Sequence, residues 1–94
     1  MNADVVQTLD DLKSKANCIE AYHVTTYQCL RRIKSGGTQE VRVEVRDAGP
    51  NSPNGALRYH VVAMSTDGRR SVSGNPANSV HLAFAFVHWG DLDK

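Results

Sequence analysis

The side chains best suited to metal binding are four histidines and two cysteines. No Cys-x-x-Cys or His-x3-His pair occurs among them. His81 and His88 are two turns apart on a predicted helix, which separates them by about 10 Å, whereas a zinc ligand lies about 2.1 Å from its ion. The spacing therefore predicts no metal site and no cofactor.

Nucleophilic and acid–base chemistry lack a suitable arrangement as well. Cys18 and Cys29 fall on one predicted helix about 16 Å apart, beyond disulfide reach, so we predict two reduced, packed thiols. Reduced thiols are typical of a cytoplasmic protein. The acidic pairs at residues 10–11 and 91–93 lie on a predicted surface helix and a solvated tail, rather than forming an acid–base pair. We predict no catalytic residues and no enzymatic activity.

Five cations could form a local phosphate-binding patch. Three close a predicted helix and two follow a predicted hairpin tip: Arg31, Arg32 and Lys34, then Arg69 and Arg70. The formal net charge is only +1, so no global field draws the chain to nucleic acid. The alternative interpretation of this group is that cations complement a helix C-terminus and keep a turn solvated.

Three strands are predicted from alternation and turn signals. At 39–46, Val41, Val43 and Val45 alternate with charged residues, which indicates one buried and one wet face. Strands at 57–65 and 70–73 follow, joined by a turn at Asp67-Gly68 that favours a tight hairpin. The long connection at 47–56 is rich in Pro, Gly and Asn and predicts a loop.

Three helices are predicted from their end signals. Residues 3–15 have Asn2 as a cap. Residues 18–34 follow a capping-box pattern at Asn17 and precede Gly36-Gly37, although 23–27, HVTTY, favours a strand. A helix is also predicted at 76–89, because Pro76 near the start and Gly90 after the end favour it; the alternative is a buried strand at 80–89.

The fold expected from these elements is α+β in a single domain, 1–94. A three-stranded antiparallel sheet (39–46, 57–65, 70–73) carries helices 18–34 and 76–89 on one face, with the helix at 3–15 added. The N-terminus has neither a basic region nor an apolar run, which predicts a cytoplasmic protein without a secretory signal. No stretch is long and apolar enough to predict a membrane span.

From Asn17 onward this α-β-β-β-α order resembles the double-stranded-RNA-binding domain. Gly49-Pro50 is similar to the Gly-Pro loop with which that family probes a minor groove. The resemblance implies two helices on one sheet face. The family's last helix opens with lysines that hold phosphates, whereas residues 75–81 contain no Lys or Arg. The resemblance therefore implies the fold and not RNA binding, which depends on such phosphate contacts.

One face of the predicted sheet has no helix to cover it. A row of alternate residues points outward there, with two apolar side chains beside two polar ones: Arg58, His60, Val62 and Met64. Exposed apolar patches with polar rims mark protein contacts, although a scattered surface pair is the plainer interpretation. We predict a small bacterial, non-enzymatic protein-interaction or self-associating domain that binds through the open sheet face or the first helix. The alternative is a weak nucleic-acid-binding domain using the five cations.

Overall fold

The structure, a computed structural model, describes residues 1–51 and 57–93. Its elements in chain order are helix α1 (Ala3–Ser14), strands β1 (His23–Arg32), β2 (Thr38–Asp47), β3 (Tyr59–Ser65) and β4 (Ser71–Ser73), helix α2 (Val80–Ala85) and a 3-10 helix, η1 (Trp89–Asp93). The strands form one antiparallel meander in the order β1-β2-β3-β4. The chain is therefore α+β, as predicted, but its sheet has four strands.

The helix predicted at 18–34 is wrong, because most of that stretch is β1. Asn17 has a φ of 58° instead of capping a helix, and Gly36 and Gly37 have φ of 96° and 85°. The two glycines turn a hairpin, in which the Ile33 N–H donates to the Gly37 carbonyl at 3.3 Å. The β-branched run at 23–27 outweighs the helical end signals, since pairing with β2 gives ten backbone positions a partner. The helix that would open the RNA-binding-domain topology is thus a strand.

The other predicted strands are confirmed with small changes at their ends. Val41, Val43 and Val45 of β2 are buried, and Arg42 between them is exposed. The sheet face carrying these valines is called the core face, and the opposite one the open face. Strand β3 begins at Tyr59 rather than at residue 57, and β4 at Ser71. The Asp67-Gly68 turn is present, and residues 52–56 of the predicted loop lie outside the described residues.

The two remaining helices are confirmed in type, and the second is shorter than predicted. In α1 the Asn2 side chain accepts from the Val5 N–H at 2.9 Å. Helix α2 begins after Ser79, because Ala77 is still extended and exchanges both backbone hydrogen bonds with Tyr59 at 2.8 and 2.9 Å. The predicted helix 76–89 is therefore six residues of α-helix followed by the separate turn of η1.

The core lies between the core face of β2 and β3 and the C-terminal segment. Ala83, Val87 and Leu92 cover that face and are almost fully buried. Helix α2 packs on β3, and η1 packs on β4. Helix α1 lies elsewhere, with Leu9 against Gly49 at one end of the sheet. The predicted pair of long helices on one face is therefore incorrect, and the core face of β1 is left uncovered except at Arg31 near its end.

Substitution of Gly74 provides a test of how closely the C-terminal segment packs against the chain after β4. A Cβ added there would lie 2.5 to 2.7 Å from backbone atoms of Phe86 and Val87. We expect Gly74→Ala to lower the free energy of unfolding by about 1–3 kcal/mol, since backbone must move to admit the methyl group. Urea denaturation followed by circular dichroism measures this.

Gly90→Ala is the matched control, because nothing lies within 4 Å of a Cβ at that position. Its unfolding midpoint should stay close to that of the wild type. Equal midpoints for both variants would contradict the close contact between residue 74 and the chain after α2.

Candidate interaction surface

Of the four residues predicted to form a row on the open sheet face, three lie there in the structure. His60, Val62 and Met64 do lie on that face, and all three are half-buried. Charged residues of β2 stand opposite them: Glu44 pairs with Val62, and Arg42 donates to the Met64 sulfur at 3.2 Å. The apolar area of the row is therefore small, and its use as an interface stays a prediction.

Arg58, the fourth member of the predicted row, is held elsewhere. It precedes β3 and donates to both carboxylate oxygens of Asp47 at 2.7 and 3.0 Å. Its guanidinium carbon lies 4.9 Å from the centre of the Tyr59 ring. The ion pair between Arg58 and Asp47 thus joins the residues before β3 to the end of β2.

Two of the five predicted nucleic-acid contacts hold the C-terminus in place. Arg31 forms an ion pair with Asp93 and donates to the Trp89 carbonyl at 3.2 Å. Arg70 donates to the Leu92 carbonyl at 3.3 Å. The structure thereby brings Arg31 and Arg70 to the same end of the sheet, around η1. Their use in phosphate binding stays a prediction, as it does for the three exposed cations, Arg32, Lys34 and Arg69.

Strand β1 is the surface that sequence reasoning missed. It pairs with β2 along one edge, and nine of its ten residues are exposed. Tyr27 is 55% exposed on the core face, and Leu30 is 67% exposed on the open face. The β-branched and aromatic run at 23–27 was the signal that could have identified this strand.

The backbone hydrogen bonds at both ends of β2 show which residues of β1 direct their N–H and C=O groups toward β2 and which direct them away from the sheet. We call this alternation the hydrogen-bond phase of β1. The Ile33 N–H donates toward β2, and alternate residues of an antiparallel strand turn to alternate sides. The Ala48 N–H donates to the Arg58 carbonyl, so even-numbered residues of β2 bond to β3 and odd-numbered ones to β1. Even-numbered residues of β1 therefore direct their N–H and C=O groups away from the sheet. We call the N–H groups of four of them the outward amides: Val24, Thr26, Gln28 and Leu30.

A groove of about 280 Å³ runs along the core face between β1 and α2. It exists because α2 covers β3 and stops short of β1. Its sides are mainly apolar and aromatic, with polar groups at one end: His23, Thr25, Tyr27, Val45, Asp47, Tyr59, Val80 and Phe84. Phe84 also stacks on Trp89, with ring centroids 6.1 Å apart, so the wall formed by α2 is held by η1.

Asp47 carries the main electrostatic feature of this end of the groove. Partial burial opposes its ionisation, but hydrogen bonds from Arg58 and from the Gly49 N–H outweigh burial and lower the pKa of the carboxyl. The hydrogen bond to Asp47 in turn raises the pKa of Arg58. The pair therefore stays ionised at neutral pH and stabilises the folded chain.

No family model, curated protein or solved structure matches this chain. Within residues 1–51 and 57–93, no group of three or more His, Cys, Asp or Glu side chains is placed to hold a metal ion. None of the helices in the described part of the chain has the length and apolar character needed to cross a membrane. A functional proposal rests therefore on the geometry alone.

The Asp47–Arg58 ion pair predicts that part of the free energy of unfolding is lost in acid. Because the folded-state pKa of Asp47 is lowered, its contribution is present above the unfolded carboxyl pKa, about 3.9, and is lost as pH falls through the folded value. We expect Asp47→Asn to cost about 1–2 kcal/mol at pH 7 and less near pH 2, because the contribution declines once pH falls below the unfolded carboxyl pKa. Urea denaturation at both pH values measures the difference.

Arg58→Gln is the matched variant, since it removes the same interaction from the other side. Asp47→Asn should lose the whole acid-dependent part, whereas Arg58→Gln should lose only the share that the Arg58 bonds contribute, since the Gly49 N–H still donates to Asp47. The double variant should lose no more of it than Asp47→Asn alone. A cost of Asp47→Asn that is the same at pH 7 and pH 2 would show that ionisation of this carboxyl does not stabilise the fold.

Proposed function

We propose that this chain is a small, non-enzymatic protein-interaction domain that binds by accepting a strand along β1. The observation that carries the proposal is an edge strand of ten residues, exposed on both faces, with a row of outward backbone groups that pair with no other described strand. Strand addition satisfies such groups through main-chain hydrogen bonds, and the side chains on either face supply specificity.

The two edges of the sheet differ in a way that favours β1. Proteins protect their edges with short strands, Pro, Lys or bulges. Strand β4 has only three residues and follows Arg69 and Arg70. Strand β1 contains no Pro and no Lys, pairs with β2 without a break, and has cations only at its last two positions. An edge left this open is suited to pairing with another strand.

The side chains of β1 are suited to contact rather than to solvation. Val24 is 44% exposed, and Tyr27 and Leu30 are more exposed still. Burying the whole of a Val or Leu side chain contributes about 1.5–3 kcal/mol, so covering the exposed parts of Val24 and Leu30 contributes a share of that. A partner strand would cover part of Tyr27 on the core face and part of Val24 and Leu30 on the open face. Both faces then contribute to binding.

Amide hydrogen exchange tests strand addition directly. The isotope-labelled chain is measured by nuclear magnetic resonance, both alone and in an unlabelled lysate of the source cells. We expect the outward amides to be protected at least about 100-fold in one of these samples, because a paired strand removes them from water. Free exchange of all four in both samples, with the inward amides of β1 protected, would overturn the proposal.

Gln28→Pro provides the matching perturbation. Proline removes the outward N–H at this position, and an edge strand tolerates it when the lost N–H faces solvent. We expect the protection at Val24, Thr26 and Leu30 to disappear, while circular dichroism stays that of the wild type. Gln28→Ala keeps the N–H and should keep the protection.

A further inference from the structure

We infer that the added strand is β1 of a second copy of this chain, paired antiparallel about a two-fold axis at Tyr27. This inference rests on the proposed function and names its partner. The resulting dimer has one continuous sheet of eight strands, with the two β1 strands at its centre. No exposed long edge then remains among the described strands, since β4 becomes the edge at both ends.

The hydrogen-bond phase restricts the possible registers. Residues that exchange hydrogen bonds across an antiparallel ladder must both direct their backbone groups to the shared edge. Even-numbered residues of one β1 must therefore face even-numbered residues of the other. Two registers satisfy this rule and align nearly the whole strand: one pairs 23–31 with itself about Tyr27, and the other pairs 24–32 with itself about Gln28.

Side-chain chemistry favours the axis at Tyr27. In that register Val24 of each copy faces Leu30 of the other on the open face, so two exposed apolar side chains meet twice. The axis at Gln28 would place Arg32 opposite Val24 instead. Contact between two apolar side chains across the ladder stabilises the pairing, which a cation beside a valine does not.

The core face adds an aromatic contact at the axis. Tyr27 faces Tyr27 of the second copy there, in a pair that is not hydrogen-bonded through the backbone. Side chains in such pairs approach most closely, with Cα atoms about 4.5 Å apart. Within each copy Tyr27 already pairs with Val43, so a row of Val43, Tyr27 and their counterparts crosses the dimer. The two grooves beside α2 lie on either side of this row.

The size of the exposed surface fits one such contact. The chain exposes 6284 Å², about 900 Å² more than the roughly 5,400 Å² expected for a monomer of its mass. Its radius of gyration is 15.0 Å, against about 12 Å for a compact chain of this length. A protein interface of standard size covers about 800 Å² on each partner. The excess is similar in size to the area that one partner covers, although it belongs to the whole elongated chain and not to β1 alone.

Sedimentation equilibrium and cross-linking test the dimer and its register. We expect the purified chain to sediment with the mass of two copies, and Gln28→Pro to raise the dissociation constant at least about tenfold, because the symmetric contact loses a hydrogen bond twice. For the register, Thr25→Cys is made together with Cys18→Ser. With the axis at Tyr27, position 25 faces Cys29 of the second copy at a distance within disulfide range.

Oxidised glutathione, as the added oxidant, should convert this double variant to a cross-linked dimer. The same variant with Cys29→Ser should stay uncross-linked, and circular dichroism checks that each variant is folded. A dimer without the link between position 25 and Cys29 would overturn the register. A chain that sediments as a monomer at about 1 mM would overturn the inference that the partner is a second copy of this chain. The proposed function would survive that result if the outward amides were protected only in the lysate, and would fail if they exchanged freely there too.

Discussion

The rest of the structure depends on how much of a four-stranded sheet one short helix can cover. Helix α2 has six residues, which makes it about 9 Å long, and a helix with its side chains is about 10–12 Å wide. Neighbouring strands lie about 4.8 Å apart, so α2 spans about two of them. It covers β3 and the adjoining valines of β2. Strand β1 lies beyond its reach, and the groove follows from that limit. The edge of β1 is open because β1 is the outermost strand of the sheet.

The C-terminal residues extend this cover by a different means. Leu92 is fully buried, and its carbonyl accepts hydrogen bonds from Gln39 at 3.1 Å and from Arg70 at 3.3 Å. Arg31, at the end of β1, reaches the same segment through Asp93 and Trp89. Hydrogen bonds from Arg31 and from the Lys34 backbone lower the pKa of Asp93 and keep it ionised. Three strands are thereby tied to η1, including the exposed one.

The elements predicted correctly are those whose signals act over a few residues. Asn2 caps α1, Asp67-Gly68 forms its turn, and the alternation at 41–45 places the valines on one face. The helix prediction at 18–34 failed because the signals in that stretch conflict. Asn17 and Gly36-Gly37 suit the ends of a helix, whereas the β-branched residues at 23–27 suit a strand. Gly with positive φ serves a hairpin as well as a helix end, so the glycines do not discriminate. Pairing with strand β2 decides the outcome, and the signals within 18–34 do not include that strand.

The candidate site depended on the same error. With 18–34 taken as a helix, the open sheet face and the row from Arg58 to Met64 were the natural surface for a partner. With β1 as a strand, the exposed edge moves to the other side of the sheet. Local composition by itself determined the class of the fold, the capped first helix and the valine face of β2, since hydrophobic alternation and capping act between near neighbours in sequence. Only the tertiary structure decided which segment became the outermost strand and which carboxylates met Arg31 and Arg58. Arg31 and Asp93 are 62 residues apart, and Arg58 meets Asp47 only where β2 and β3 pair, so the free energy of these contacts appears only once the sheet has formed.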